Sequence, residues 1–204
     1  ASTASSHPKV KAITARIFPA SRAMGFTLTS SKHSVTKPED LKDLKIRVPG
    51  SAVYMGVFNA LGASPTAMSW SEVFTAIQQK TIDGQENGCS VTKSAKMDEI
   101  QQYMTIWNYS YENDLFVANS RVWESLDENT RQLLQECATE SCEWGRDHLE
   151  AEEDQLIQGF MDSGMQVDIL TEDQLQAFKD AVAGVTADLK AEYGEDACAA
   201  FGIN

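Results

Sequence analysis

A strand–helix–strand–helix rhythm with short links is the feature that most restricts how this chain can fold. Residues 45–48 have the composition of a short strand, and a helical pattern of apolar residues follows and ends at Gly62. An extended segment at 63–70 leads into another helix, after which the chain turns at Gly84. Links this short predict a small parallel or mixed sheet with helices packed against it, which is an α/β fold.

Helical patterns dominate the second half of the chain. The predicted elements are a helix at 94–102, strands at 103–107 and 114–118, an acidic helix over about 127–162, a strand at 166–170 and a last long helix. Thr171 and Gln174 have the spacing of a capping box, so we expect the last helix to begin there. The acidic helix carries an apolar stripe on one face: Leu133, Leu134, Cys137, Trp144, Leu149, Leu156, Ile157 and Phe160.

Composition and charge exclude several classes of partner. The chain has 204 residues, of which 42% are apolar and 23% charged, as is usual for a soluble globular protein of one large domain or two small lobes. Its net charge of −13 argues against nucleic acids and anionic membranes, and a bound anion would need a local cation. No apolar run reaches the roughly 18 residues that span a bilayer, so we expect no membrane-spanning segment. Residues 1–11 lack the apolar segment of a signal peptide, and the small, polar neighbourhood of His7 and Pro8 is predicted to form a loose tail.

The cysteines match no zinc or redox motif. Cys137 and Cys142 lie five apart on a predicted helix and point to different sides, so they cannot bridge each other. Free thiols are one interpretation, and a long-range disulfide through Cys89 or Cys198 is the other. The sequence also lacks GxSxG, HExxH and phosphate-loop motifs, so we expect no enzyme, no cofactor and no metal.

Four segments carry a specific resemblance to one known family. They are LKDLKIRVPG at 41–50, ALGASPTAM at 60–68, SEVFTAIQQ at 71–79 and IDGQEN at 82–87. In order and spacing they resemble the solute-binding proteins of TRAP transporters, the DctP-like family, and a looser resemblance extends from Gly25 to about Gly194. The resemblance implies a type II periplasmic-binding-protein-like fold of two α/β lobes with a ligand cleft between them. It also implies a periplasmic receptor that captures a small carboxylate or sugar acid and delivers it to membrane permease subunits.

The resemblance covers mostly the second lobe of the family fold. Family members carry a long segment before the matching region that builds most of the first lobe. The sequence therefore divides into four predicted parts. Residues 1–22 are an unmatched tail, and residues 23–112 are the second α/β lobe, which carries the ligand motif. Residues 113–152 contain a crossing strand, a remnant of the first lobe and the start of a long spanning helix, and residues 153–204 form a C-terminal strand and helices that pack back on the second lobe. A truncated lobe that acts as a structural or protein-interaction module is the alternative function.

Three residues in or beside the matching segments correspond to ligand-binding positions of the family. Arg47 at a strand end would pair with the ligand carboxylate, whose two oxygens match the planar fork of guanidinium donors. Asn87 would hydrogen-bond the ligand, and Trp70 would pack on its carbon skeleton. The alternatives are an arginine satisfied by Asp43 or Glu86, an ordinary turn asparagine and a tryptophan of the core.

Gly50, Ser51 and Tyr109 complete the predicted site. Gly50 and Ser51 follow Arg47 and could offer backbone N–H groups to an anion at a helix N-terminus, although Ser51 could equally be a plain helix cap. Tyr109 lies where the family can have a polar residue that faces the cleft, with ordinary packing as the alternative. Several family members have a second arginine at the position of Thr27. Its absence here argues against sialic acid and favours a monocarboxylate, a keto acid or a sugar acid.

Overall fold

The structure is a computed structural model, and it describes residues 10–12, 26–110, 117–194 and 196. The chain divides into two compact units, a larger one of Gly25–Ser110 with Glu153–Asn204 and a smaller one of Ala1–Met24 with Tyr111–Glu152. The strands are β1 (Val10–Ala12), β2 (Thr27–Ser30), β3 (Ile46–Val48), β4 (Thr66–Ala67), β5 (Gly84–Asn87), β6 (Tyr103–Ile106), β7 (Val117–Asn119) and β8 (Gln166–Ile169). The helices are α1 (Ala52–Ala60), α2 (Trp70–Gln78), α3 (Cys89–Ser94), α4 (Ser120–Ser125), α5 (Glu128–Asp162), α6 (Glu172–Ala181) and α7 (Ala183–Tyr193), with short 3-10 helices at Pro38–Leu41 and Met97–Glu99.

A mixed six-stranded sheet forms the centre of the larger unit. Its strand order is β4-β3-β5-β2-β6-β8. Strand β2 runs antiparallel to both of its neighbours, β5 and β6, whereas the pairs β3–β4, β3–β5 and β6–β8 are parallel. The prediction of an α/β fold with a mixed sheet is therefore confirmed.

Three clusters of buried apolar residues hold the helices of the larger unit against this sheet. The first cluster contains Ile46, Val48, Phe58, Trp107 and Phe178. The second contains Val73, Ile77, Ile82 and Met97, and the third contains Cys89, Met104, Phe160 and Met165. Complete burial of each large side chain contributes on the order of 1.5–3 kcal/mol to folding. These contacts make the sheet a rigid base for the residues at its edges.

Strand β5 begins at Gly84, where the sequence predicted a turn. A Cβ atom at this position would lie 2.1 Å from the carbonyl oxygen of Thr29 in the neighbouring strand, so only glycine allows the two strands to approach this closely. The prediction failed because Gln85 and Glu86, although buried, are polar. An internal strand of this composition lacks the apolar alternation by which strands are recognised.

The start and end of several helices agree with the sequence pattern. Gly62, just beyond the end of α1, has a φ of +79°, a left-handed conformation that glycine adopts without strain. Thr171 caps α6, because its side chain accepts a hydrogen bond from the backbone N–H of Gln174, and the Gln174 side chain bonds back. The predicted capping box is confirmed.

Two helix predictions were wrong in extent. The helix predicted at 94–102 lies earlier, as α3, and ends at Ser94, because Lys96 adopts a left-handed φ of +56°. Only a short 3-10 helix follows it. The last helix is divided at Val182, whose backbone leaves helical geometry between α6 and α7.

The smaller unit contains an antiparallel pair of strands, in which Lys11 of β1 faces Ala118 of β7. The loose tail predicted around His7 and Pro8 lies outside the described residues, and residues 10–12 just beyond it form a strand. Of the strand predicted at 114–118, residues 114–116 lie outside the described part of the chain. The first half of the apolar stripe of α5 is exposed, at Leu133, Leu134 and Trp144.

The second half of the α5 stripe packs into the core. Leu156 and Ile157 are half-buried and Phe160 is fully buried, whereas the side chain of Leu149 lies outside the described part of the chain. The buried end therefore packs on the larger unit's own third cluster.

The described part of the chain contains neither a helix long and apolar enough to cross a membrane nor a cluster of metal-ligating side chains. Cys89, Cys137 and Cys142 are free thiols, and Cys89 is buried. Cys198 lies outside the described residues. The sequence left two interpretations open for Cys89, a free thiol or a long-range disulfide, and the structure shows the free thiol.

Candidate functional site

Four helices of the larger unit begin at one edge of the sheet. Helices α1, α2, α3 and α6 follow the ends of β3, β4, β5 and β8, which all run in the same direction. Each helix N-terminus presents backbone N–H groups and the positive end of the helix dipole. In α/β sheets, ligands bind outside the carboxyl ends of such strands. We call this edge the carboxyl edge; its residues are 26–27, 47–51, 67–70, 86–88, 106–109 and 169–171.

Arg47, the predicted anion-binding residue, lies in β3 at the carboxyl edge and is only 7% exposed. Its Nε donates to the carbonyl oxygen of Met68 at 2.9 Å, and its Cζ lies 5.3 Å from the ring centroid of Trp70. No carboxylate of the described residues, including those of Asp43 and Glu86, forms an ion pair with the guanidinium. The guanidinium is therefore held in place by a carbonyl group and an aromatic ring.

The surroundings of Arg47 favour an anion. Burial lowers the pKa of the guanidinium from its ordinary value, and the negative charge of Glu86 acts in the opposite direction. The group stays protonated at neutral pH because arginine is effectively always charged in proteins. A buried charge without an ion pair is costly, and a carboxylate would supply both the opposite charge and a pair of acceptors.

Asn87 ends β5 on the same face of the sheet as Arg47. The register pairs Arg47 with Gln85 and Asn87 with Thr27, and paired residues share a face. Gln85 and Asn87 are two positions apart in β5, so their side chains also lie on one face. The Asn87 Oδ1 atom accepts from the N–H of Gly88 at 3.1 Å, and the Thr27 hydroxyl donates to the backbone carbonyl oxygen of Asn87 at 2.9 Å. No described residue accepts from the Asn87 NH2 group, which could donate to a ligand.

Trp70, Gly50 and Ser51 lie at the starts of α2 and α1. Trp70 is half-buried and packs on the cluster of apolar residues around α2. Gly50 is exposed, and a Cβ atom there would meet nothing within 4 Å. Ser51 occupies the N-cap position of α1 but forms no side-chain cap hydrogen bond, and its N–H donates to the carbonyl oxygen of Pro49 at 2.7 Å. The interpretation of Ser51 as a plain helix cap therefore agrees with its N-cap position, although its side chain forms no cap hydrogen bond.

Tyr109 belongs to an aromatic cluster of the core. Its ring centroid lies 4.6 Å from that of Trp107, and edge contacts join it to Tyr54 and Phe58. Its hydroxyl donates to Oε2 of Glu86 at 2.7 Å. The side chain of Tyr109 is thus packed among core aromatic rings and bonded to Glu86, while Arg47 and Trp70 contact each other directly.

The sequence reasoning missed two buried polar residues of β5. Gln85 and Glu86 are both almost fully buried. The Gln85 Nε2 atom donates to Thr29 Oγ1 at 2.9 Å, on the face of Arg47, whereas Glu86 lies on the opposite face and accepts from Tyr109. The available signal for this strand was a pair of adjacent polar residues between Gly84 and Asn87, but the pair was interpreted as part of a turn.

Residues 22–192 match the model of the family described as Bacterial extracellular solute-binding protein, family 7, or DctP. The chain belongs to this family. The resemblance to the solute-binding proteins of TRAP transporters is thereby confirmed. Members of the DctP family are solute-binding proteins and not enzymes, so the expectation that the chain is not an enzyme is also confirmed.

Three similar proteins show how much of the DctP fold the chain represents. It is 32% identical over 162 residues to the 2,3-diketo-L-gulonate-binding periplasmic protein YiaO of Escherichia coli, a match that covers 79% of this chain and 49% of the relative. It is 30% identical over 177 residues to the C4-dicarboxylate-binding periplasmic protein DctP of Rhodobacter capsulatus, which covers 86% and 53%. A TRAP periplasmic solute-binding protein of Ralstonia eutropha with bound (S)-2-acetolactate superposes with a TM-score of 0.80 at 34% identity, over 84% of this chain and 56% of that one. The chain spans about half the length of these relatives.

Proposed function

We propose that this chain is the solute-binding component of a TRAP-type transporter, which captures a small organic carboxylate in the periplasm and delivers it to membrane permease subunits. One observation carries the proposal: Arg47 is a buried cation at the carboxyl edge and has no ion pair within the described residues. Its guanidinium fork matches the two oxygens of a carboxylate. The relatives compared above bind, by their descriptions, a diketo sugar acid, C4 dicarboxylates and acetolactate, all of which contain a carboxylate.

The neighbours of Arg47 have complementary roles in this proposal. Trp70 orients the guanidinium and offers an apolar wall to the carbon skeleton of the ligand. The NH2 group of Asn87 donates to a ligand oxygen, and the start of α1 at Gly50 and Ser51 adds the positive end of a helix dipole. Tyr109 acts indirectly, through its hydrogen bond to Glu86. In the same proposal the larger unit is the second lobe of the receptor.

Isothermal titration calorimetry of the purified chain with a panel of carboxylates tests the proposal. At least one monocarboxylate or sugar acid should bind, and Arg47→Ala should weaken this binding by on the order of 2–5 kcal/mol, because a closed site leaves the ligand carboxylate without its partner. Arg47→Lys should restore only part of the affinity, because lysine keeps the charge but loses the fork. Arg121→Ala, which removes an exposed arginine of α4, is the matched control and should bind normally.

Two results would contradict the proposal in different ways. If no acid of the panel binds to the folded chain, the receptor function fails and the alternative, a structural or protein-interaction module, is favoured. If an acid binds equally well to Arg47→Ala, the chain is a receptor but Arg47 does not anchor its ligand. The circular dichroism spectrum of each variant shows whether the buried substitution has preserved the fold.

A further inference from the structure

Gln85 is a buried amide beside the anchoring arginine, and an inference about its role rests on the function proposed above. The register pairs Gln85 of β5 with Arg47 of β3, so the two side chains leave neighbouring strands at the same level and on the same face of the sheet. Neighbouring strands lie about 4.8 Å apart, a separation that two side chains of this length can cross. Gln85 is completely buried, and Arg47 is 7% exposed.

Hydrogen bonds tie one end of the Gln85 side chain to a buried polar network. Its Nε2 atom donates to Thr29 Oγ1 at 2.9 Å and, more weakly, to Thr92 Oγ1 at 3.5 Å. The Thr29 hydroxyl donates to Gln101 Oε1, and Gln101 Nε2 donates to the carbonyl oxygen of Asp83 at 3.0 Å. This network leads away from β3, because β2, which carries Thr29, lies on the other side of β5.

The other end of the Gln85 amide is without a partner. Its Oε1 atom is buried from solvent, and no donor among the described residues bonds to it. Turning the amide over would exchange its two polar atoms and leave Nε2 unpartnered instead, so the assignment of the two atoms does not alter this result. Buried polar atoms without a partner are rare, because nothing then compensates for the loss of water. Oε1 is therefore available to any donor that comes within reach.

Arg47 carries donors at the same level of the sheet. A guanidinium has five N–H groups. In the described part of the chain, only the group on Nε has an acceptor, the carbonyl oxygen of Met68, and no hydrogen bond joins Arg47 to Gln85. A ligand carboxylate that binds side by side uses two N–H groups of the fork, so a further Nη N–H stays free for Oε1. The same face of the sheet thus holds an unused acceptor and unused donors.

We propose that Gln85 is a positioning residue of the binding site, a neutral acceptor that steadies the guanidinium fork of Arg47 without neutralising its charge. An amide oxygen accepts a hydrogen bond from the guanidinium but adds no opposite charge, so the charge stays available to the ligand carboxylate. A carboxylate at position 85 would instead form an internal ion pair and compete with the ligand. An apolar side chain there would leave the fork without this support.

Calorimetry with galactonate, pantoate and succinate compares three side chains at position 85. For every acid that the natural chain binds, Gln85→Glu should weaken binding by at least about 100-fold, because like charges then meet at the arginine. Gln85→Met, which is similar in length, should weaken it by only about two- to ten-fold, the effect of one hydrogen bond.

The matched control for this comparison is Gln101→Glu. It places the same charge in the same buried network, but at the opposite edge of the sheet, and should change Kd by less than about three-fold. Glu86 acts electrostatically on Arg47 and lies on the opposite face of β5 from Gln85. It is unchanged in all of these variants, so its influence cancels in the comparison.

A titration tests the same contact without any ligand. The carboxyl introduced by Gln85→Glu should titrate at least about one pH unit lower when Arg47 is present than in the double variant that also carries Arg47→Met, because an adjacent cation favours the carboxylate. NMR of ¹³C-labelled glutamate side chains measures both titrations, with the natural chain as the reference for assignment. A purely structural role of Gln85 would not produce a difference that depends on Arg47.

The outcomes separate this inference from the function on which it rests. If an acid binds to Gln85→Glu as tightly as to the natural chain, the role of Gln85 is overturned while the receptor function stands. If none of the acids binds to the natural chain, the receptor function is contradicted and the titration decides alone: equal titration with and without Arg47 overturns the role of Gln85. If Gln85→Glu does not fold, Gln85→Met decides, because an unchanged Kd would show that Arg47 needs no acceptor at position 85.

Discussion

The guanidinium of Arg47 and the indole ring of Trp70 form a cation–π pair, in which Arg47 Cζ lies 5.3 Å from the ring centroid. The two residues come from different elements, β3 and the first position of α2. The hydrogen bond from Arg47 Nε to the carbonyl oxygen of Met68 holds the guanidinium from a second direction. Together these contacts orient the Nη atoms of Arg47. The affinity for a carboxylate should therefore depend on Trp70 even if Trp70 does not contact the carboxylate itself.

Trp70→Leu is therefore expected to weaken carboxylate binding. The cation–π contact is worth about 0.5–2 kcal/mol, which corresponds to roughly a two- to thirty-fold increase in Kd. Trp70→Phe should lose less, because a smaller aromatic ring still attracts the guanidinium. Calorimetry with the ligand found for the natural chain measures both. Trp144→Leu is the control, because Trp144 is 66% exposed and lies in the smaller unit. An unchanged Kd in Trp70→Leu would show that the Met68 contact alone orients Arg47.

The hydrogen bond between Tyr109 and Glu86 is expected to stabilise the larger unit. Tyr109→Phe removes one donor from a buried carboxylate and should lower the free energy of unfolding by about 1–3 kcal/mol. Urea denaturation of the two single variants, Tyr109→Phe and Glu86→Gln, and of the double variant measures the coupling. Residues in direct contact typically show coupling energies of about 0.5–3 kcal/mol, so strictly additive effects would contradict the contact.

Two glycine substitutions are expected to change stability in opposite directions. Gly84→Ala should destabilise the chain by about 3 kcal/mol or more, because the new Cβ would collide with the rigid backbone oxygen of Thr29. Gly159→Ala, within α5, adds a methyl group where no atom lies within 4 Å, and should stabilise by about 0.5–1 kcal/mol. Thermal denaturation followed by circular dichroism measures both. A stable Gly84→Ala variant would mean that β5 and β2 can separate without loss of the sheet.

Cys89 is expected to make stability fall at alkaline pH. Burial raises the pKa of its thiol to about 12, and the negative charge of Glu153 adds to the effect. The unfolded chain loses this proton near the ordinary thiol pKa while the folded chain keeps it, so the contribution of Cys89 is complete below that pH and is lost as pH rises towards 12. Between about pH 8.5 and about pH 10.5 the natural chain should lose about 2 kcal/mol more than Cys89→Ala, as measured by urea denaturation.

Alkylation provides an independent check of the same residue. Iodoacetamide at mildly alkaline pH should modify the exposed Cys137 rapidly and leave Cys89 unmodified until the chain unfolds, because the thiolate is the reactive form. Mass spectrometry of the digested protein measures both sites. Rapid modification of Cys89 in the folded chain would contradict its burial and the alkaline pH dependence that follows from it.

Local signals were sufficient for part of the fold. Gly62 and the pair Thr171–Gln174 marked helix ends correctly, because a left-handed glycine and a capping box are interactions among neighbours in sequence. Strand β5 was not recognised, because burial of Gln85 and Glu86 depends on strands β2 and β3 on either side. Likewise, the apolar spacing of α5 showed which residues share a face, but which part of that face is covered is decided by distant segments: Trp144 is exposed and Phe160 is buried.

The sequence alone determined the α/β class and the family, and it singled out Arg47 as the candidate anion-binding residue, because these follow from local patterns and a contiguous motif. Only the tertiary structure decided what surrounds that cation. The contacts of Arg47 with Met68 and Trp70, and its electrostatic interaction with Glu86, link residues 21 or more positions apart in the chain. Such contacts arise from the register of parallel strands and the placement of a helix start, and these are set by packing of the whole sheet and not by any single segment.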